Sequence, residues 1–199
     1  MIDSVEIQKK EVVNEQEVKR QSLPKLDLAC GDSKVEGFIG VDICQTDSVD
    51  VVHDLREAPW PWEDGSVGEA RCSHFFEHLH PAERILFMNE LWRVLAPGAG
   101  CTFITPRGFD RQVQDFSHVW PPIVAGSYYY FDKSWLTVNR LSHYRELHGI
   151  ACDFEVRPMT VSVTPDIALR NDEHKMFAVQ YYTNAAIDLV VVCVKRETA

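Results

Sequence analysis

The sequence predicts a doubly wound, mostly parallel α/β sheet of about seven strands with an aromatic-rich insertion after strand five. Three observations predict it. Short apolar runs, each closed by a polar residue, recur between Pro24 and Pro106, as strands buried on both faces do. An amphipathic helical segment stands between two of these runs, the alternation that builds parallel sheets. A chain of 199 residues that is 45% hydrophobic suits one domain and can bury roughly 70% of its unfolded surface.

Taken in order, residues 1–22 lack aromatics and mix both charge signs, which describes a flexible or loosely helical segment ahead of a domain spanning 23–199. KLDLAC (25–30), FIGVDI (38–43) and VDVVHD (49–54) are the first three strands, and EARCS (69–73), after the turn-rich WPWEDGSVG, is the fourth. Pro81 opens a helix that puts Ile85, Met88, Trp92 and Leu95 on one face, with Pro97-Gly98 as its stop. GCTFITP (100–106) is strand five. FEVRPMTVSV (154–163) and AIDLVVVCVK (186–195) complete the sheet as an antiparallel hairpin. After strand five, residues 107–149 hold nine of the 21 aromatic residues together with His118, His143 and His148. That texture suggests a lid or acceptor-pocket wall, with Arg107, Arg111 and Asp115 at its rim.

Composition excludes several functions. A net charge of -10 argues against nucleic acid, whose nonspecific affinity comes from clustered Lys and Arg. A small molecule is the expected partner. No apolar run approaches the roughly 20 residues of a membrane helix. The start MIDSVEIQKK has neither the basic opening nor the apolar stretch of a secretory signal, so a cytoplasmic location is expected. The six cysteines never form a C-x-x-C pair and read as buried hydrophobes in a reducing compartment. Oligomeric state has no signature.

Candidate chemistry gathers at strand ends. A carboxylate closing strand two of a nucleotide-binding sheet accepts hydrogen bonds from ribose hydroxyls, and Asp42 occupies that place. Upstream, LDLACG (26–31) runs a strand into a glycine turn that lets a ligand approach the backbone. Downstream, Asp54 and Leu55 end strand three, suited to an adenine amino group and ring face.

Through LDLACG, FIGVDI, HDLREAPWPWEDGSVGEARCSHFFEHL and ELWRVLAPGAGCTFITP, the chain resembles the class I S-adenosylmethionine-dependent methyltransferases over residues 25–106. The resemblance implies a Rossmann-like sheet, methyl transfer, and S-adenosylmethionine as cofactor. It implies cofactor contacts from the Asp27, Ala29, Cys30 and Gly31 stretch, with Asp27 and Gly31 facing the methionine part. Asp42, followed by Ile43, would take the ribose, and Asp54 and Leu55 the adenine. Ser73 and His74 would lie near the reacting methyl. The chain departs from the family in retaining one glycine in the first turn, Ala29-Cys30-Gly31-Asp32-Ser33. Only seven residues, 31–37, join strands one and two, too few for the helical crossover of at least ~10 to 12 residues. The family's first helix is therefore expected to be missing. An extended return remains feasible, because seven residues reach about 23 to 25 Å. Losing a helix N-terminus hurts a pyrophosphate more than a single carboxylate, which favours S-adenosylmethionine over a dinucleotide.

In the insertion, Asp115 and His118 of DFSHVWPP are candidate catalytic residues, His118 as a base for the acceptor. The expected acceptor is a small or sugar-like molecule. A second reading is a methyltransferase-like module that binds a nucleoside or protein without turnover. A third is a zinc hydrolase using His74, Glu77 and His78, since HFFEH matches H-x-x-E-H. Pro81 starts the helix too late for a shared helical face, so no metal is expected there; Phe75 and Phe76 would pack while Glu77 and His78 cap the helix.

Overall fold

A computed structural model describes residues 17–107, 114–182 and 185–197. Eight strands form one sheet: β1 (Lys25–Leu28), β2 (Ile39–Asp42), β3 (Val51–Val52), β4 (Val67–Ser73), β5 (Leu95–Pro106), β6 (Phe154–Val156), β7 (Thr160–Val163) and β8 (Ala186–Lys195). The order is β3-β2-β1-β4-β5-β8-β6, with β7 also on β8. The first five strands pair in parallel, and β8 runs antiparallel to β5, β6 and β7. Arg111, expected at the rim, and residues 1–16 lie outside the described residues. Residues 17–21 are helical.

Helix α1 (Pro81–Val94) buries Arg84, Phe87, Met88, Leu91 and Val94, a stripe at helical spacing. Ile85 and Trp92, expected at its centre, are only partly buried and flank it. The helix also ends earlier than Pro97-Gly98 suggests. Proline disfavours helical backbone in the residue before it, and Leu95 is already extended at φ -64 and ψ 136. β5 consequently begins at Leu95 and carries Pro97 within it.

The register aligns Leu28, Cys72, Phe103 and Val191 across four strands, and all four are fully buried. Above them Phe76 packs between Phe87, Phe103 and Tyr128 with ring centroids 5.2 to 5.8 Å apart. Tyr128 comes from a 3-10 turn at Ala125–Phe131, so part of the insertion is core. Two short helices follow, α2 (Lys133–Val138) and α3 (His143–His148).

The links between the first four strands are loops, and the one before β4 packs on α1 through Trp60 and Phe87, ring centroids 5.0 Å apart. Among the described residues no helix joins β1 to β2, β2 to β3 or β3 to β4, so three crossovers are helix-free where one was expected. The 29–38 return lies directly on β2: a Cβ on Gly40 would collide with the Ser48 carbonyl oxygen and sit 2.9 Å from Cys30 Sγ and the Lys34 side chain. Lys34 Nζ reaches Asp50 at 2.7 Å, and Asp50 accepts the Gly40 N–H at 2.7 Å.

The 154–163 run is two strands, interrupted where Pro158 lacks a ladder donor. β7 and β8 are antiparallel neighbours but not a tight hairpin, because α4 (Pro165–Ala168) and α5 (Asp172–Tyr181) intervene. None of the helices described is long and apolar enough to cross a membrane.

Candidate functional site

Two cavities lie beyond the carboxyl ends of the parallel strands, where ligands of open α/β sheets bind. The first, of about 250 Å³, is lined by Ala29, Asp42, Ile43, His53, Asp54, Leu55, Arg56, Phe75, His78 and Leu79. The second, of about 610 Å³, is lined by His74, His78, Pro106, Gln114, Asp115, Phe116, His118 and Asp188. His78 belongs to both walls and marks their junction.

In the first cavity the turn after β1 is a local consequence of its sequence. Gly31 has φ +54, suited to glycine, but Ala29 also has φ +57, a region that costs an L-residue roughly 1 to 2 kcal/mol. The Asp42 carboxylate holds this turn by accepting the Gly31 N–H at 3.0 Å and the Cys44 N–H at 3.0 Å, one on each oxygen. Each oxygen keeps a further acceptor site. Asp54 is more heavily engaged, since Arg56 donates to it from Nε, Nη2 and its backbone N–H. Arg56 holds the Asp54 carboxyl below the usual carboxylate range. Leu55, Phe75 and Leu79 supply apolar wall.

Asp27 is placed differently from the expectation. Its side chain is fully buried, and it accepts the Val35 N–H at 2.8 Å and Arg71 Nη1 at 3.0 Å. It fastens the loop that stands in for the absent helix and lines neither cavity. Cys30 and Gly31 form the turn beside the first cavity without lining it, Cys30 being buried with its thiol against the Ser48 carbonyl. Burial, the largest influence, raises the Cys30 pKa. Ser73 ends β4 next to His74 and lines neither cavity.

The second cavity gathers residues distant in sequence. His74 leaves β4 with φ +53, strain of the kind that collects at functional sites. Its Nδ1 lies 3.5 Å from Glu77 Oε1 and its Nε2 3.7 Å from Asp188 Oδ1. Glu77, the largest influence, raises the His74 pKa, and Asp188 adds to it. Glu77 and His78 sit in a 3-10 turn at Phe76–His78. They do not cap α1: His80 is the N-cap, and its N–H donates to Glu83 at 2.7 Å.

The loop carrying Asp115 and His118 is tied to that turn. The Val119 N–H donates to the Glu77 carbonyl at 2.9 Å. Arg84, 7% exposed, donates to the carbonyls of Val119 and Pro121 at 2.9 and 2.8 Å. His118 thereby packs edge-on against His78, ring centroids 4.8 Å apart. Asp115 accepts from Ser117 Oγ at 2.6 Å and the Ser117 N–H at 2.9 Å, and these bonds hold its carboxyl below the ordinary range. Sequence spacing pairs His78 with His74; the fold pairs it with His118.

Of the residues expected from sequence, Ala29, Asp42, Ile43, Asp54 and Leu55 meet in the first cavity, and His74, Asp115 and His118 in the second. Besides Arg56, Leu79, Gln114 and Phe116, the lining residues without an expected cofactor or acceptor role include Phe75, His78 and Asp188. Phe75 and His78 stand inside the HFFEH stretch, which was legible as a metal motif or as packing. Asp188, at the start of a strand 70 residues beyond His118, left no local signal.

No family model matches the chain, and no curated protein matches it in sequence. Solved structures do match. A SAM-dependent methyltransferase from Archaeoglobus fulgidus aligns with TM-score 0.56 and 14% identity over 97% of this chain and 100% of that one. YcgJ from Bacillus subtilis aligns with TM-score 0.52 and 12% identity over 92% and 98% of the two chains. The 16S rRNA (adenine(1408)-N(1))-methyltransferase from Catenulisporales acidiphilia aligns with TM-score 0.52 and 13% identity over 93% and 94%. Coverage of nearly whole chains, on a sheet with its acidic β2 terminus beside a cavity, assigns the architecture: the chain has the class I S-adenosylmethionine-dependent methyltransferase fold.

Proposed function

We propose that the protein transfers a methyl group from S-adenosylmethionine, bound in the first cavity, to an acceptor in the second. The observation that carries this reading is the junction at His78 between a cavity edged by the β2 carboxylate and a roomier one walled by imidazoles and carboxylates. The first cavity fits the cofactor chemically. Asp42 has an acceptor site left on each oxygen for ribose hydroxyls, and Ile43, Leu55, Phe75 and Leu79 offer apolar contact to an adenine. The 29–31 turn suits one carboxylate better than a diphosphate, because no helix N-terminus follows it.

When bound, S-adenosylmethionine supplies an electrophilic sulfonium methyl. The chain's part is to hold an acceptor atom in line with it and to exclude water. An acceptor hydroxyl or amine must also lose a proton, and Asp115, His118 and His78 stand on the acceptor side for that task. The net charge of -10 supports a small-molecule or sugar-like acceptor over a nucleic acid. A domain spanning 23–199, with 107–149 as its acceptor-side insertion, completes the reading.

Calorimetry with S-adenosylhomocysteine tests it. One binding site per chain is expected, and its affinity should fall together with methyl transfer when Asp42 is replaced. A folded protein that binds neither S-adenosylmethionine nor S-adenosylhomocysteine overturns the proposal.

A further inference from the structure

We propose that Glu77, His78 and His118 bind one divalent transition-metal ion at the junction of the two cavities. One ligand atom from each lies within 4.8 Å of the others. Small side-chain rotations reduce that spacing to the roughly 3 to 3.5 Å implied by metal–ligand bonds of about 2.0 to 2.2 Å.

Glu77 is the second, independent observation. It is 3% exposed, and neither carboxylate oxygen has a hydrogen-bond partner. A buried carboxylate without such partners is costly unless a cation compensates it. His74, when protonated, is the nearest cation to this carboxylate, but its ring is half exposed and it reaches Oε1 alone, at 3.5 Å, so it compensates Glu77 only in part.

The surroundings prepare both imidazoles. His78 Nδ1 contacts Ser117 Oγ at 3.0 Å and the Ser117 carbonyl at 3.3 Å. A carbonyl only accepts, so this contact assigns the proton to Nδ1 and leaves Nε2 with a lone pair for a metal. Asp115 accepts from Ser117 Oγ at 2.6 Å and so braces the group that orients the His78 ring, as carboxylates do behind metal-bound histidines. It also stands 3.9 Å from His118 Nε2, close enough to favour a cation there but not to hydrogen-bond. The Val119 to Glu77 backbone bond and the Arg84 clamp hold the third ligand's loop against the other two.

Two imidazoles and one carboxylate select zinc, cobalt or ferrous iron over magnesium or calcium, which prefer all-oxygen shells. Three protein ligands leave a coordination position open, and His78 and His118 line the second cavity. That this position takes an acceptor oxygen rests on the methyl-transfer reading; binding of the ion does not. With the ion bound, His78 and His118 act through it and not as bases: an acceptor hydroxyl on the ion would release its proton, to Asp115 or to solvent, more readily. Its oxygen would then bond the methyl carbon as the carbon–sulfur bond breaks, its electron pair passing to sulfur and giving S-adenosylhomocysteine.

The test titrates the metal-stripped full chain with Co²⁺, followed by visible ligand-field absorption, and competes it with Zn²⁺ and Mg²⁺. Expected are one Co²⁺ per chain, displacement by Zn²⁺ but not by Mg²⁺, and at least tenfold weaker binding in His118→Ala and His78→Ala. His80→Ala should bind as the parent does. Circular dichroism and thermal unfolding check that each variant folds, and His118→Ala, on a loop, keeps the test decisive if a Glu77→Gln variant does not fold. Absence of ligand-field bands in the folded parent, or unchanged Co²⁺ affinity in His118→Ala, overturns the proposal. Co²⁺ binding without S-adenosylhomocysteine binding would refute the methyl-transfer reading alone; the reverse would refute the metal site alone.

Discussion

The two cavities are built in opposite ways. The first draws its wall from residues 29–79, a contiguous stretch in which each strand end delivers its residue through a short turn. The second joins the end of β4, the end of β5, a loop near residue 115 and the start of β8, held by long-range bonds such as Arg84 to Pro121 and Val119 to Glu77. The first is therefore set by local geometry, and the second by whether the insertion docks. Damage to one should leave the other working.

The largest expected effect breaks the second cavity alone. His118→Ala should lower turnover at least ~10²-fold for an acceptor that must lose a proton, the usual scale for a group handling that proton, while S-adenosylhomocysteine affinity stays within about twofold. Calorimetry and initial rates on one preparation check this. Equal losses in both readouts would show that the cavities are not independent.

Asp42→Ala attacks the first cavity. It should weaken S-adenosylhomocysteine binding by about 1.5 to 3 kcal/mol, the scale of hydrogen bonds to a charged group. Part of that loss comes from freeing the Gly31 and Cys44 N–H groups, so Asp42→Asn, which keeps one acceptor, should fall between. Asp54→Ala should cost less than either, because Arg56 already occupies its oxygens. Affinity unchanged in a folded Asp42→Ala protein would refute the ribose assignment.

Gly40→Ala probes the scaffold under the first cavity. Its Cβ would meet a backbone carbonyl, and overpacking of this kind costs typically 1 to 3 kcal/mol. Chemical denaturation should report that loss, and S-adenosylhomocysteine affinity should weaken as the 29–38 return shifts. A fully stable variant would mean the return does not rest on β2.

Ala29→Gly is the smallest effect. Glycine tolerates the left-handed backbone at this position, but it also loosens the unfolded chain. A net gain of roughly 0.5 to 1 kcal/mol in unfolding free energy is expected, with cofactor affinity nearly unchanged. Destabilisation instead would mean that the alanine methyl makes a contact worth more than the strain.

How much was legible follows the same division. Asp42, Asp54 and Leu55 were readable because a strand period of two and a terminal acid specify position within a few residues of chain. The helix-free return was readable by counting residues 31–37. The helix-free β2 to β3 link was as countable, since only residues 44–48 separate the two runs. Residues 55–68, between the third and fourth runs, are numerous enough for a helix and gave no such signal, and the alanine at φ +57 looks like any alanine in sequence.

By itself the sequence determined the run of parallel strands, the acid at the end of β2, the start of α1 at Pro81 and the insertion after β5. Each depends on local periodicity, proline chemistry or chain length. Tertiary structure alone decided that Asp27 turns inward to Val35 and Arg71, that β8 enters between β5 and β6, and that His78 faces His118 instead of His74. Those outcomes are chosen by packing between segments tens of residues apart. Their free energy comes from burying Phe76, Phe103 and Tyr128 together and from the hydrogen bonds of the Arg84 terminal nitrogens and of Asp27, interactions that do not exist until the whole sheet has assembled.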